Sequence, residues 1–253
     1  MTQTTHNPTR IAPLANLTGL TLNGQVLTGL LLIAVPVIFT LVFTLLGSTF
    51  EYPDILRKPV PYVLEQFSKA GPGLVSLWYG MLVSALMFTV IPTLVRRVYP
   101  ERSLLLDLGV TIGTLAGLVQ ALGFVRWVFL VPALAATYAD PVSSQATRAA
   151  VNIVFDVFNR YAGMGIGEHL GYLFTAFWTL SIAVPLLRRS RIFGLSGMVF
   201  AVGILAGMLE PAGFAWAGMV NAFSYIAWSV WMVAFGVLVL RAPKEQIAQE
   251  VYR

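Results

Sequence analysis

There is no cysteine in this 253-residue chain, and there is little charge. The first absence excludes disulfides, thiolate metal sites and a cysteine nucleophile, and it leaves the redox compartment open. The second says more. Asp, Glu, Lys and Arg make up 11% of the residues, whereas a soluble domain carries about 25%. Hydrophobic residues make up 57%, so the chain reads as an integral membrane protein with little soluble mass. Histidine is scarce as well: His6 lies in the polar N-terminal stretch, and His169 stands alone elsewhere. A haem held by two protein ligands would need Met164 or a second protomer beside His169. No HExxH zinc motif, P-loop or GxGxxG dinucleotide fingerprint is present, and Gly163-Met-Gly-Ile-Gly167 lacks the preceding strand that such a fingerprint requires.

What is there is mostly span. About 20 apolar residues cross a hydrocarbon core of ~30 Å. Six runs meet that length, near residues 26–46, 74–95, 104–134, 166–187, 194–214 and 220–240, with Pro36 as a kink candidate in the first. The expected class is all-α: a polytopic bundle of six transmembrane helices. Residues 1–25 form a polar tail without a basic region followed by an apolar one, so the first helix is expected to anchor itself. Residues 26–241 form the transmembrane domain and 242–253 a second tail, with no internal repeat.

The formal charge of +5 does not point to nucleic acid, because the basic residues cluster at the ends of apolar runs. One side collects Arg10, Arg96, Arg97, Arg102, Arg188, Arg189, Arg191, Arg241, Lys244 and Arg253, and the other Arg57, Lys58, Lys69, Arg148 and Arg160. Both termini are therefore expected to be cytoplasmic, in a bacterial inner membrane. Two outer loops exceed what a connection needs. In the first, Val60, Val63, Leu64 and Phe67 fall at helical spacing, as an amphipathic interfacial helix would place them. The second opens with the helix-start signal Asp140-Pro-Val-Ser-Ser144 and sets Val151, Val154, Phe155 and Phe158 against Asn152, Asp156 and Asn159. This segment either lies in the interface or extends the fourth helix, with the following glycines as a bend.

Chemistry concentrates in Tyr161–Tyr172. It sets Glu168 beside His169 where Gly163, Gly167 and Gly171 form a ridge of small residues, and Gly109, Gly113 and Gly117 form a second ridge on the third helix. At ~1.5 Å per residue, Arg126, Glu168 and Glu210 each lie roughly 9–14 Å to the outer side of their helix midpoints. An unpaired intramembrane charge costs at least ~2.5 kcal/mol, so groups at shared depth tend to pair around a cavity. The candidate site is an outward-facing polar pocket of Arg126, Glu168, His169 and Glu210. Gln120, Trp127, Trp216, Asn221 and Tyr225 are candidate neighbours. The plainer reading has Arg126 snorkelling to the headgroups, or in a structural salt bridge, with Trp127 and Trp216 in an aromatic belt. A zinc site wants three or four ligands, so a metal would demand that Glu168, His169 and Glu210 all converge. Gly194-Leu-Ser-Gly197 resembles the nucleophile motif of rhomboid intramembrane proteases, but no histidine follows His169 to serve Ser196.

Tyr52-Pro-Asp-Ile-Leu-Arg-Lys-Pro59, Trp78, Arg126-Trp127 with Pro132 downstream, and Ile166-Gly-Glu-His-Leu-Gly171 together resemble a bacterial membrane-protein family, domain of unknown function 4386. The resemblance spans roughly residues 28–240. It implies a polytopic inner-membrane protein with no assigned activity, so it carries over no catalytic residue and no cofactor. The leading expectation is a protein that binds or moves a small molecule or proton, with Glu168 titrating, oriented by His169 and balanced by Arg126. The alternatives are a non-enzymatic membrane partner with structural charges and an intramembrane metal or haem redox enzyme.

The orientation is testable on a background that is already free of cysteine. Ser68→Cys is expected to react with an impermeant maleimide in intact cells, and Ser190→Cys only after permeabilisation; the reverse pattern inverts the topology.

Overall fold

The computed structural model describes residues 19–99 and 103–242. Most of the N-terminal tail, nearly all of the C-terminal one, and Arg10, Arg102, Lys244 and Arg253 lie outside the described residues. Nine α-helices are described: α1 (Gly19–Phe50), α2 (Val60–Ala70), α3 (Pro72–Phe88), α4 (Ile91–Val98), α5 (Leu104–Ala139), α6 (Gln145–Phe158), α7 (Gly171–Leu186), α8 (Arg191–Ala206) and α9 (Trp216–Arg241). Short 3₁₀ turns occupy Asp54–Arg57 and Gly207–Ala212, and a π-helical segment occupies Asn159–Leu170. There is no strand among the described residues.

Among the described residues, six stretches are long and apolar enough to cross a membrane: Gly24–Phe50, Pro72–Val98, Leu104–Ala139, Gln145–Leu186, Arg191–Ala212 and Trp216–Arg241. The chain is a multi-pass helical membrane protein, as its composition implies. The α1–α3, α5–α6 and α8–α9 connections share one end of the bundle, the loop end, and the α4–α5 and α7–α8 connections share the other. Serine caps set three helix starts. Ser103, Ser144 and Ser190 accept from the backbone N–H groups of Leu106, Thr147 and Phe193 at 3.4, 3.1 and 3.4 Å.

The spans are not uniform. In the second, Pro92 offers no N–H to the turn before it, and Thr89 and Val90 bond back to Leu86 and Met87 at 3.1 and 3.4 Å. The helix tightens there and divides into α3 and α4. The fourth span resolves the choice left open by the sequence. Helix runs without a break from Gln145 through the π segment to Leu186, 42 residues in all, so α6 extends the fourth helix. Gly163, Gly165 and Gly167 fall inside the π segment, where three glycines weaken the preference for a regular α-turn.

The amphipathic pattern of α2 is realised, with Val60 half-buried at its start. Val63, Leu64 and Phe67 are buried while Glu65, Ser68 and Lys69 face out. That of α6 is realised in half. Val151 and Phe155 are buried, but Val154 and Phe158 are exposed, and Asn159 beyond them is buried. Asn159 turns inward because Arg126 meets it there.

Two aromatic cores stack along the bundle. At the loop end, the Trp78 and Trp127 rings lie 4.6 Å apart and nearly parallel, with Phe50 edge-on to both, and α2 and α6 add Phe67 and Phe155. The other core gathers Phe88, Trp178, Trp228, Trp231 and Phe235. Helix α5 touches both and packs on α3, α7 and the π segment.

The glycine ridges make this packing close. A Cβ on Gly123 would lie 2.8 Å from Gly167 Cα, so the two backbones touch. Gly117 meets the Ala85 carbonyl in the same way, Gly113 leaves room for Trp178, and Gly163 leaves room for the Arg126 guanidinium. Gly123→Ala is therefore expected to cost about 1–3 kcal/mol, the usual penalty of overpacking. Gly73→Ala, at a helical position with open space around it, should gain about 0.5–1 kcal/mol. Melting midpoints in detergent check both; equal midpoints for the two variants would refute the seam.

Candidate functional site

The loop end brings together charge from four separate elements. Arg126, on α5, is only 8% exposed. Its guanidinium donates to the Gly123 carbonyl and, at 3.2 Å, to Asn159 Oδ1, and it lies 5.2 Å from the Trp127 ring centroid. It does not snorkel. The side chain folds back on its own helix and under the π segment, where Gly163 has no Cβ to block it. Trp127 is likewise no belt residue, since it is buried in the loop-end core, whereas Trp216 is 49% exposed.

Glu168 and His169 project from the π segment, both half-buried. Neither makes a side-chain hydrogen bond or an ion pair within 4 Å among the described residues. The Glu168 carboxylate nonetheless lies in the electrostatic field of Arg126, Arg57 and Glu210. Glu210, in the 3₁₀ turn that ends the fifth span, forms its ion pair with Arg57 of the α1–α2 loop rather than with Arg126. The hydrogen bond to Glu210 holds the Arg57 guanidinium above its ordinary range; burial opposes this, and Glu168 and Asp54 add to it.

Of the four residues expected at the site, Arg126 and Glu210 thus both act electrostatically on Glu168. His169 is next to Glu168 in sequence. Two residues missing from the expected set complete the cluster. One is Arg57, visible in sequence only as a loop cation. The other is Tyr52, whose ring meets Trp78 at 5.1 Å and Phe43 at 5.2 Å. Burial pushes the Tyr52 phenol up from its usual range, the nearby Glu168 charge pushes it further, and Arg126 opposes both. Asn159, which satisfies Arg126, carried no signal beyond the polar face of α6.

The expected neighbours divide. Gln120 donates to Thr175 Oγ1 at 3.1 Å, Asn221 donates to the Ile204 carbonyl at 2.7 Å, and Tyr225 packs on Tyr172 with ring centroids 5.8 Å apart. Tyr172 and Tyr225 also lie within the field of the Glu168 charge. Among the described residues, no three of His, Asp and Glu converge to hold a metal ion.

The architecture and these stretches belong together in one family. The family described as Domain of unknown function (DUF4386) matches residues 27–240, all six spans with little left over. The chain belongs to that family. The match takes in Tyr52, Arg57, Arg126, Glu168 and Glu210, so the whole cluster lies within the DUF4386 domain. Comparison with curated proteins and with solved structures gives no match.

The raised Tyr52 phenol sets a pH dependence. A group whose pKa rises on folding contributes stability that is complete below its unfolded value, about 10 for tyrosine, and is lost as pH climbs towards the folded value. The melting midpoint of the wild type is therefore expected to fall more steeply between pH 9 and pH 11 than that of Tyr52→Phe. Parallel curves would place the phenol in water.

Proposed function

We propose that this chain is a multi-pass protein of the bacterial inner membrane, with both termini cytoplasmic, that binds or moves a small molecule or proton through an outward-facing polar pocket centred on Glu168. The observation that carries this reading is the state of Glu168: a carboxylate within a membrane span with no contact partner among the described residues. The nearby cations are engaged elsewhere, Arg126 with Asn159 and the Gly123 carbonyl, and Arg57 with Glu210. A carboxylate kept in a span without a direct counter-ion is costly, and such groups mark ion and proton pathways in membrane proteins. Arg96 and Arg97 in the last turn of α4, with Arg188 and Arg189 just beyond α7, support the orientation.

A second reading, a non-enzymatic membrane partner whose charges are structural, draws support from the bonds that Arg126 and Arg57 do make. A metal enzyme finds less support, because among the described residues no three of His, Asp and Glu gather as a metal site would require.

Glu168→Gln separates the first two. Its melting midpoint between pH 4 and pH 8 is expected to lose the pH-dependent component that ionisation of Glu168 gives the wild type, while the fold persists. A variant that is simply less stable by the same amount at every pH would sink the pocket and favour structural charges.

A further inference from the structure

The fourth and fifth spans touch where Tyr172 meets Gly207: a Cβ on that glycine would lie 2.8 Å from the tyrosine ring. The two spans run in opposite directions there. Glu168 precedes Tyr172 by four residues, about one turn of an α- or π-helix, so it lies on the same face of the fourth span, nearer the loop end. Glu210 follows Gly207 by three residues, one 3₁₀ turn, and side chains so spaced eclipse. Each carboxylate is therefore one turn towards the loop end from the same contact, on surfaces that face each other.

Little holds the end of the fifth span in that position. In the connection from α8 to α9, residues 211–216 are all exposed, and Phe214 and Trp216 meet each other with ring centroids 6.0 Å apart. Its backbone bonds are local, from Gly213 N–H to the Glu210 carbonyl at 3.0 Å and from Phe214 N–H to the Leu209 carbonyl at 3.3 Å. Its polar tie to another element is the ion pair of Glu210 with Arg57. Gly218 lets that pair settle on the start of α9, since a Cβ there would lie 3.1 Å from Glu210 Oε2 and 3.4 Å from the Arg57 guanidinium. The partners are unequally anchored. Arg57 ends a 3₁₀ turn whose Ile55 is fully buried in the loop-end core, and Tyr52 just before it packs on Trp78 and Phe43. Glu210 rides on a segment that ends at Gly213, where φ is +94° and a Cβ would meet open space, so the chain can pivot there. The Arg57 and Glu210 side chains are 58% and 31% exposed, and a pair so open to water shifts an equilibrium by about fivefold at most. That is weak for a strut and suits a contact that opens.

We propose that the Arg57–Glu210 ion pair is a latch: closed, it holds the α8–α9 connection over the face of the fourth span that carries Glu168, and open, it frees that connection to swing aside and expose Glu168 at the loop end. The first loop is the fixed side of the latch and the α8–α9 connection the moving side, while the Tyr172–Gly207 contact one turn further in stays shut. The inference rests on the reading of Glu168 as the group that binds, and it adds how that group is reached.

The test is the rate at which N-ethylmaleimide labels Glu168→Cys in the purified full-length protein, which has no other cysteine. Adding Glu210→Gln, or separately Arg57→Gln, is expected to raise that rate about three- to fivefold, the weight of an exposed pair. Exchanging the charges, with Arg57→Glu and Glu210→Arg together, is expected to bring the rate back near its starting value. Ser84→Cys, at a position buried elsewhere in the bundle, controls for general loosening and should stay unlabelled in the same backgrounds. Salt at about 0.5 M, which screens exposed charges, should quicken labelling of Glu168→Cys alone and add nothing once Glu210→Gln is present. An unchanged rate in both single-charge variants would overturn the latch. So would an equal rise at Ser84→Cys, an exchanged pair as fast as the single variants, or indifference to salt. Labelling reads access and not binding, so a failed latch leaves the Glu168 reading to the pH dependence of melting, and a Glu168 that binds nothing leaves the latch measurable.

Discussion

Everything at the loop end depends on the contact of two backbones, where Gly123 of α5 lies against Gly167 of the π segment. In lipid there is no hydrophobic force to press helices together, so close approach, dispersion and polar bonds must do it. A side chain at either position would push the fourth span outward. That movement would strip Asn159 from Arg126 and open the space beneath Gly163 that the guanidinium fills. Arg126 would then keep only the Gly123 carbonyl of its own helix, and a buried cation short of a partner costs more than the lost contact itself. Packing and electrostatics are therefore one system here: the absence of two side chains allows the burial of a third.

The same seam explains why Glu168 is left without a contact partner. Three elements approach it, and each brings its own compensation. Helix α5 brings a cation already bonded to an amide and a carbonyl, and the first loop brings Arg57 already paired with Glu210. What reaches Glu168 is field rather than contact. A carboxylate held by field alone stays free to exchange a proton or a ligand, whereas one locked in a bidentate pair does not.

Much of this was legible in the residues. Hydropathy located all six spans, because nothing but a helix of that length satisfies its backbone across a bilayer. The serine-led helix start at Ser144 and the stripe of Val63, Leu64 and Phe67 followed from spacing alone. Depth along each span, at a nearly constant rise per residue, grouped Arg126, Glu168 and Glu210, but the fourth span proved longer than the apolar run on which that depth was reckoned. Rotation about the axis was not legible. The π segment changes the angular register of Glu168 and His169 in a way that no periodicity announces, and the inward turn of Arg126 depends on a cavity made by a glycine 37 positions away. Arg57 was hidden for another reason. It lies in a connection, and only the loop's fold brings its guanidinium over the end of the fifth span.

The stacked indoles of Trp78 and Trp127 have a consequence of a different kind. Their ring centroids are 4.6 Å apart and their planes 6° from parallel, next to Arg126 and with the Tyr52 ring edge-on to Trp78. Aromatic transitions at that separation couple, so the pair behaves optically as one chromophore rather than two. Trp178 and Trp228, at 6.2 Å and steeply inclined, form a second and weaker optical unit in the other core. The protein thus carries its own indicator of the loop end, one that answers to a displacement between α3 and α5 without any label.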